Sequence, residues 1–181
     1  MTALIVLAAG LSRRFGDKDK LLSSVEGKPL SKHVVDALAP IKFNKRYVVI
    51  GENNSKLSDI FSGYSTLINS RPEEGQWRSI QLGAAQALKG GAMRAMVCLA
   101  DMPRIPTSHY AALLKCDKST MTSVENVAQP PAIFDHKGLQ ALDGLKPGQQ
   151  GKNVLSGSPN MITLSAHLAV DIDRQEDLTK L

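Results

Sequence analysis

Long apolar runs are missing from this 181-residue chain. None approaches the ~20 residues that a helix needs to cross a bilayer, so an integral membrane protein and a membrane partner are not expected. Cysteine is scarce: Cys98 and Cys116 allow one disulfide at most and form neither a CxxC pair nor a metal-ligand cluster. Cys98 lies within Ala95-Met96-Val97-Cys98-Leu99-Ala100, where a thiol behaves as a small core hydrophobe, and the usage fits a cytoplasmic setting. Aromatics are few (one Trp, three Tyr, four Phe), and no basic stripe interleaves with them, which argues against a nucleic-acid partner. Neither GxGxxG nor GxxxxGK[ST] occurs, so dinucleotide-binding and P-loop readings lack their fingerprints.

What is present is the composition of an ordinary globular domain, 43% hydrophobic and 22% charged, which excludes wholesale disorder. The formal net charge of +5 suits an acidic small-molecule partner but is common on solvated surfaces, and decides nothing alone. Met1 to Gly10 is apolar without a basic segment ahead of it, and Arg13 and Arg14 follow closely; a buried strand fits better than an export signal. No repeat, low-complexity tract or linker interrupts the chain, so residues 1–181 are expected to form one domain.

Three short runs, Ala3 to Ala8, Tyr47 to Ile50 and Ala95 to Ala100, have the unalternated apolar character of strands covered on both faces. Between and after them, Pro29 to Leu38, Trp77 to Leu88 and Thr107 to Leu114 carry apolar residues at helical spacing. The alternation predicts a three-layer α/β/α domain around a mostly parallel twisted sheet, with ligands collecting beyond the carboxyl ends of the strands. The segments after Ala8, Ile68 and Ala100 should therefore line one cleft. In the second half, Lys118 to Val124, Ala132 to Phe134, Ile162 to Leu164 and Leu168 to Val170 read as strands, and His136 to Leu142 and Gly151 to Leu155 as weak helices. Arg174 to Leu181 reads as a terminal helix with Asp173 as N-cap and Glu176 in capping-box register.

The segment after the first strand holds the densest chemistry. Gly10 and Gly16 allow close backbone approach, Ser12 offers a hydroxyl, and Arg13, Arg14, Lys18 and Lys20 supply charge for a polyphosphate. A basic surface turn is the bland alternative. Asp101 follows the third strand, where a carboxylate either caps the helix beginning near Pro106 or holds a magnesium ion, which takes one or two carboxylates plus phosphate oxygens and water. Gly75-Gln76-Trp77-Arg78-Ser79 opens a helix whose free amides attract anions; Trp77 there either stacks on a ring or anchors the core. The four histidines have no visible partners.

Leu7-Ala8-Ala9-Gly10, Ser12, Arg14, Gly16 and Lys20-Leu21-Leu22, with Gly27-Lys28-Pro29-Leu30, Asn69, Gly75, Ser79, Gly83 and Leu99-Ala100-Asp101-Met102-Pro103, resemble the nucleotidyltransferases of glycosyltransferase-A-type fold. The molybdenum cofactor guanylyl/cytidylyltransferase group (MobA/MocA-like) is the branch most similar, and Asp171 to Leu178 is similar to its terminal acidic segment. The resemblance implies a Mg²⁺-dependent transfer of a nucleoside monophosphate from an NTP to a phosphorylated small acceptor. It implies nucleotide binding by Leu7, Ala8, Ala9, Gly10, Ser12, Arg13, Gly75 and Ser79, and catalysis by Lys20, Arg14 and Asp101. Metal ligation would fall to Asp101 and Asp173, with Asp171 as a substitute for the second.

By the same resemblance the nucleotide half spans about 1–104 and the acceptor half about 105–181, with Pro131, Gly151 and Lys152 meeting the acceptor. Gln149, Lys152 and Asn153 depart from a Gly-Asp-x-Gly-Ala-Arg segment that the family carries there. Ala8-Ala9-Gly10 is closer to the cytidylyl version than to the guanylyl one, which points to CTP with a molybdopterin acceptor and a possible molybdoenzyme partner. A sugar- or isoprenoid-phosphate acceptor, and a nucleotide-binding module without turnover, are the alternatives.

Overall fold

A computed structural model describes residues 1–12, 15, 19–52, 54–154 and 160–180. Arg13, Arg14, Gly16, Lys18 and Leu155 lie outside the described residues. In chain order the elements are β1 (Thr2–Ala8), β2 (Ser24–Val25), β3 (Lys28–Pro29), α1 (Leu30–Leu38), β4 (Lys45–Gly51), α2 (Ser55–Ile60), β5 (Ser65–Asn69), α3 (Gln76–Lys89) and β6 (Arg94–Leu99). The second half continues with α4 (Thr107–Leu114), β7 (Thr120–Val124), β8 (Val127–Phe134), α5 (His136–Asp143) and β9 (Asn160–Thr163).

Seven of the strands form one sheet in the order β5-β4-β1-β6-β8-β7-β9, while β2 and β3 pair as a separate small hairpin. Six of the seven run the same way; β8 alone is reversed, pairing antiparallel with both β6 and β7. The alternation of side chains along β1 builds two cores at once. Leu4, Val6 and Ala8 face one layer with Leu30, Val34 and Leu38 of α1, Leu57 of α2 and Leu113 of α4. Ala3, Ile5 and Leu7 face the other, with Ile80, Ala84 and Ala87 of α3 and Leu139 and Leu142 of α5. Helices on both faces explain why the central strands carry no polar alternation. The architecture is the expected three-layer α/β/α.

Several local expectations need correction. Leu168 to Val170 is not a strand: Ala166–Leu168 forms a 3-10 turn, and Leu168, Ala169 and Val170 cover the α1-side core. The sheet edge is already occupied by β9, and the chain must turn inward so that Ile172 N–H reaches the carbonyl of Asp101 at 3.1 Å. β8 is longer than Ala132 to Phe134, with the ladder register shifting opposite Pro130-Pro131 between Met121 and Thr122, because proline offers no N–H there. The terminal helix is a 3-10 segment, Gln175–Lys180. Asp177 Oδ2 accepts from the N–H groups of Asp173 and Arg174 at 3.0 and 2.8 Å.

The helix–sheet contact on the second core is close. A Cβ on Gly83 of α3 would lie 2.5 Å from Ile5 Cγ2, inside a β-branched side chain that has nowhere to turn. Gly83→Ala is expected to lower stability by about 1–3 kcal/mol, because overpacking outweighs the helix propensity gained. Chemical denaturation checks this, and a stabilised variant would show that the two layers have slack.

Candidate active site

The carboxyl ends of β1 and β6 are tied together, Leu7 C=O accepting from Ala100 N–H at 3.0 Å, so whatever follows each strand shares one rim. After β1, Ala8 and Ala9 are buried in opposite cores, and the chain emerges at Gly10. A Cβ at Gly10 would meet no atom within 4 Å. Ser12 holds a left-handed φ of 47°, its carbonyl accepts from Phe15 N–H at 2.8 Å, and its buried hydroxyl has no hydrogen-bond partner among the described residues.

Lys20 sits on a 3-10 turn, Lys20–Leu22, which Asp19 caps by accepting from Leu21 N–H at 2.9 Å. Its side chain is almost closed off from solvent. The ammonium Nζ donates to Asp101 Oδ2 at 2.7 Å and to Asp173 Oδ1 at 3.0 Å. Burial pulls the lysine pKa down, the charges and hydrogen bonds of the two carboxylates push it up, and the net is a value above the usual lysine range. Burial drives the Asp101 carboxyl above its usual range, against the pull of Lys20. Lys20 therefore stays charged, compensating two acids from segments remote in sequence.

The second oxygen of that buried acid, Asp101 Oδ1, has no hydrogen-bond partner among the described residues. An orphaned carboxylate oxygen is costly unless something positive completes it. Among the described residues no three His, Cys, Asp or Glu side chains gather as a metal cluster. A carboxylate pair is what Asp101 and Asp173 offer, and that donor set fits magnesium, which keeps several waters or phosphate oxygens of its own.

The opening of α3 forms a second wall. Gly75 at its N-cap takes φ 107° and ψ 174°, a conformation open to glycine, and leaves the first-turn amides without a side-chain cap. Ser79 Oγ accepts from the buried Asn69 Nδ2 at 2.9 Å. Trp77 proves to be a largely buried anchor, its Nε1–H donating to Glu74 C=O at 2.6 Å, with its ring edge at the lip of a cavity.

That cavity, about 540 Å³, lies over β6, β7 and β8, within the size of small-molecule pockets. Val97, Met121, Ala132 and Phe134 contribute apolar lining, and Gly151 and Lys152 come to it from the far side with Gln129, Gln149 and Gln150. Pro131 is not part of the lining; its neighbours Pro130 and Ala132 are, while its own carbonyl accepts from Thr122 Oγ1 at 2.6 Å. That hydroxyl in turn accepts from His109 Nε2, so His109 is a satisfied core histidine.

Lys20, Asp101 and Asp173 thus come together. Ala8, Ala9, Gly10 and Ser12 lie on the adjoining loop, Gly75 and Ser79 on α3, and Arg13 and Arg14 outside the described residues. The sequence resemblance extends to Gln129-Pro130-Pro131-Ala132-Ile133-Phe134 and matches Pro131 and Phe134 there; the structure puts Gln129, Pro130, Ala132 and Phe134 of that segment on the cavity wall, while Asn69 had no role of its own in that reading.

Residues 4–163 match the model of the MobA-like NTP transferase domain. A probable molybdenum cofactor guanylyltransferase of Pyrococcus horikoshii is 36% identical over 96 residues, covering 51% of this chain and 48% of that protein. A bifunctional protein GlmU of Nitratidesulfovibrio vulgaris is 31% identical over 117 residues, 64% of this chain and 26% of that one. The chain thus spans about a quarter of the GlmU relative and half of the Pyrococcus one. The fold is shared by Rv0371c of Mycobacterium tuberculosis, with a TM-score of 0.85 at 19% identity, covering 99% of this chain and 95% of that one.

Lys20→Met removes the compensating charge and leaves Asp101 buried and unpaired. It is expected to cost up to about 3 kcal/mol of stability, and Lys20→Met/Asp101→Asn to lose less than Lys20→Met alone. A double variant no more stable than the single one in denaturant titrations would show that the pair is not energetically coupled.

Proposed function

The chain belongs to the MobA-like NTP transferase family, and on that premise we propose that it moves CMP from CTP to a phosphorylated small acceptor, molybdopterin first among them, releasing pyrophosphate. The observation that carries the reading is the buried ammonium of Lys20 held between Asp101 and Asp173 beside the open Gly10 loop.

The reaction forms a bond from an acceptor phosphate oxygen to the α-phosphorus and breaks the bond to the bridging oxygen, whose electron pair leaves with pyrophosphate. Its demands are in-line alignment and neutralisation of charge around that phosphorus. The backbone at Ala9 and Gly10 would approach the nucleotide closely, since no Cβ stands in the way at Gly10. Lys20 would turn its ammonium from the carboxylates onto the α-phosphate oxygens, whose negative charge would replace that of the two acids in keeping it protonated. Arg14 and Arg13 are assigned to the triphosphate on the family pattern. Asp101 and Asp173 would hold a divalent ion such as Mg²⁺, which supplies polarisation of the α-phosphate when bound. The acceptor body would occupy the 540 Å³ cavity, with Lys152 at its edge available to a phosphate.

The choice of CTP is supported by Ala8-Ala9-Gly10, and that of molybdopterin by the Pyrococcus relative's description alone. A sugar- or isoprenoid-phosphate acceptor is the competing reading, which changes the acceptor and not the chemistry. A binding module without turnover is disfavoured, because a pure binder has no use for a buried lysine joined to two acids. We read residues 1–181 as one cytoplasmic unit, and a molybdoenzyme as the partner that receives the product.

The test is pyrophosphate release with Mg²⁺, offering CTP, GTP, ATP and UTP against molybdopterin and a panel of sugar and isoprenoid phosphates. CTP-dependent release with molybdopterin is the expected result, and release with other acceptors only would overturn the acceptor. Asp101→Asn should lower turnover by about a hundredfold or more while the protein still melts cooperatively. Gly10→Ala should raise the KM for nucleotide with no change in melting temperature, since the added methyl meets no protein atom. An unchanged KM would exclude this loop from the nucleotide site.

A further inference from the structure

The segment that follows α5 is held by α3 at two points. Gln81 of α3 is half-buried and reaches carbonyls 62 and 64 residues further along the chain. Its Nε2 donates to Asp143 C=O at 3.0 Å and to Leu145 C=O at 3.3 Å, while its Oε1 accepts from Arg78 Nη1 at 3.3 Å. Carbonyls only accept and a guanidinium only donates, so all three partners fix the same orientation of the carboxamide, with both amide protons on the segment after α5. Asp143 is the last residue of α5, where carbonyls have no partner within the helix. A bond to Asp143 alone would be a helix cap. The second bond, to Leu145, ties down the residue from which the next turn departs.

That turn is tight. Lys146 C=O accepts from Gln149 N–H at 3.0 Å, and Pro147 and Gly148, the latter with φ 79°, fill the two central positions that a type II turn gives to proline and glycine. Gln149 Oε1 closes it by accepting from Lys146 N–H at 2.8 Å. The chain then comes back to α3: a Cβ on Gly151 would lie 3.1 Å from Ile80 Cδ1 and 3.5 Å from Leu142 Cδ2, so the backbone rests on both helices. Two neighbouring residues of α3, Gln81 and Ile80, thus hold the near and far ends of the turn. Gln149, Gln150 and Lys152 form one side of the 540 Å³ cavity, and Gly75 and Trp77, at the opening of the same helix, belong to another. Gln81 itself does not line the cavity.

We infer, on the reading of that cavity as the acceptor's place, that Gln81 is a positioning residue: its two amide protons fix the base of the 146–152 turn, and through it the place of Gln149, Gln150 and Lys152 against the acceptor. Gln81 touches no substrate. What it contributes is a pair of donors, and a side chain of the same shape that only accepts cannot replace them.

Gln81→Glu is nearly isosteric and removes both donors, and Gln81→Lys restores donors without the amide. Amide exchange of the full chain, read by NMR with no ligand, tests the positioning. In Q81E the N–H groups of Lys146, Gln149 and Asn153, each bonded within the loop, should exchange about tenfold faster. In Q81K they should return toward the wild-type rate, with the amides of β1 unchanged in both. Steady-state pyrophosphate release with CTP, Mg²⁺ and molybdopterin tests the consequence. The KM for the acceptor should rise about tenfold in Q81E and recover in Q81K, while kcat and the KM for CTP stay within about twofold of wild type. A merely structural cap on α5 would lower the melting temperature and leave the acceptor KM where it is.

Loop exchange unchanged in Q81E, or an acceptor KM as high in Q81K as in Q81E, overturns the inference. So does a change confined to the KM for CTP, which would put the turn against the nucleotide. Should Q81E not fold, Q81M, which lacks donors and adds no charge, is read in its place. If the wild-type chain gives no release with molybdopterin or with the sugar and isoprenoid phosphates, the reading of the function fails, and the exchange rates decide the positioning by themselves.

Discussion

One buried ammonium holds the two ends of this molecule together. Lys20 reaches an acid 81 residues away and another 153 residues away, and both bonds depend on its staying charged in a place where burial opposes charge. The carboxylates resolve that conflict for the lysine, and the lysine resolves it for Asp101. Such a triad is poor as a source of stability, since well-packed apolar groups of the same volume would cost less desolvation. It stands at the carboxyl rim of the sheet with one Asp101 oxygen unpartnered among the described residues, and the proposed role in binding phosphate and metal charge would account for keeping it there.

Everything around the triad serves to fix its three parts. The Leu7–Ala100 bond ties the strand ends from which the Gly10 loop and Asp101 depart. Asp19 caps the turn that carries Lys20, and Asp177 gathers the backbone of Asp173 and Arg174. Ile172 N–H on the Asp101 carbonyl brings the two acidic segments side by side. The reversed strand β8 lies between β6 and β7 under the cavity, and the opening of α3 at Gly75 forms part of the same cavity's wall.

Much of this was legible in the residues. The unalternated runs at Ala3 to Ala8, Tyr47 to Ile50 and Ala95 to Ala100 can only be strands buried on both faces, and α1, α3 and α4 follow from apolar spacing within a residue or two. Lys20, Asp101 and Asp173 stood out because the order of motifs along the chain resembles a known family. Other features were not legible, for physical reasons. Leu168 to Val170 has the apolar content of a strand, but the edge it would join was taken by β9. Asp173 has the position of a helix cap, and its bond to Lys20 joins segments 153 residues apart, which no local pattern announces. Asn69 looks like a turn residue until the serine ten positions later comes within 2.9 Å.

The amino-acid sequence by itself determined the layers, the strand-and-helix alternation and the stock of charged groups, because local periodicity and side-chain chemistry are properties of neighbouring residues. Only the tertiary structure decided which acids share Lys20, that Asn69 reaches Ser79, and that Pro130 and Ala132 line the cavity. Each of those is a choice among partners equally available to an unfolded chain. Burial makes the choice, because a polar group removed from water takes whichever partner the packed backbone brings within reach.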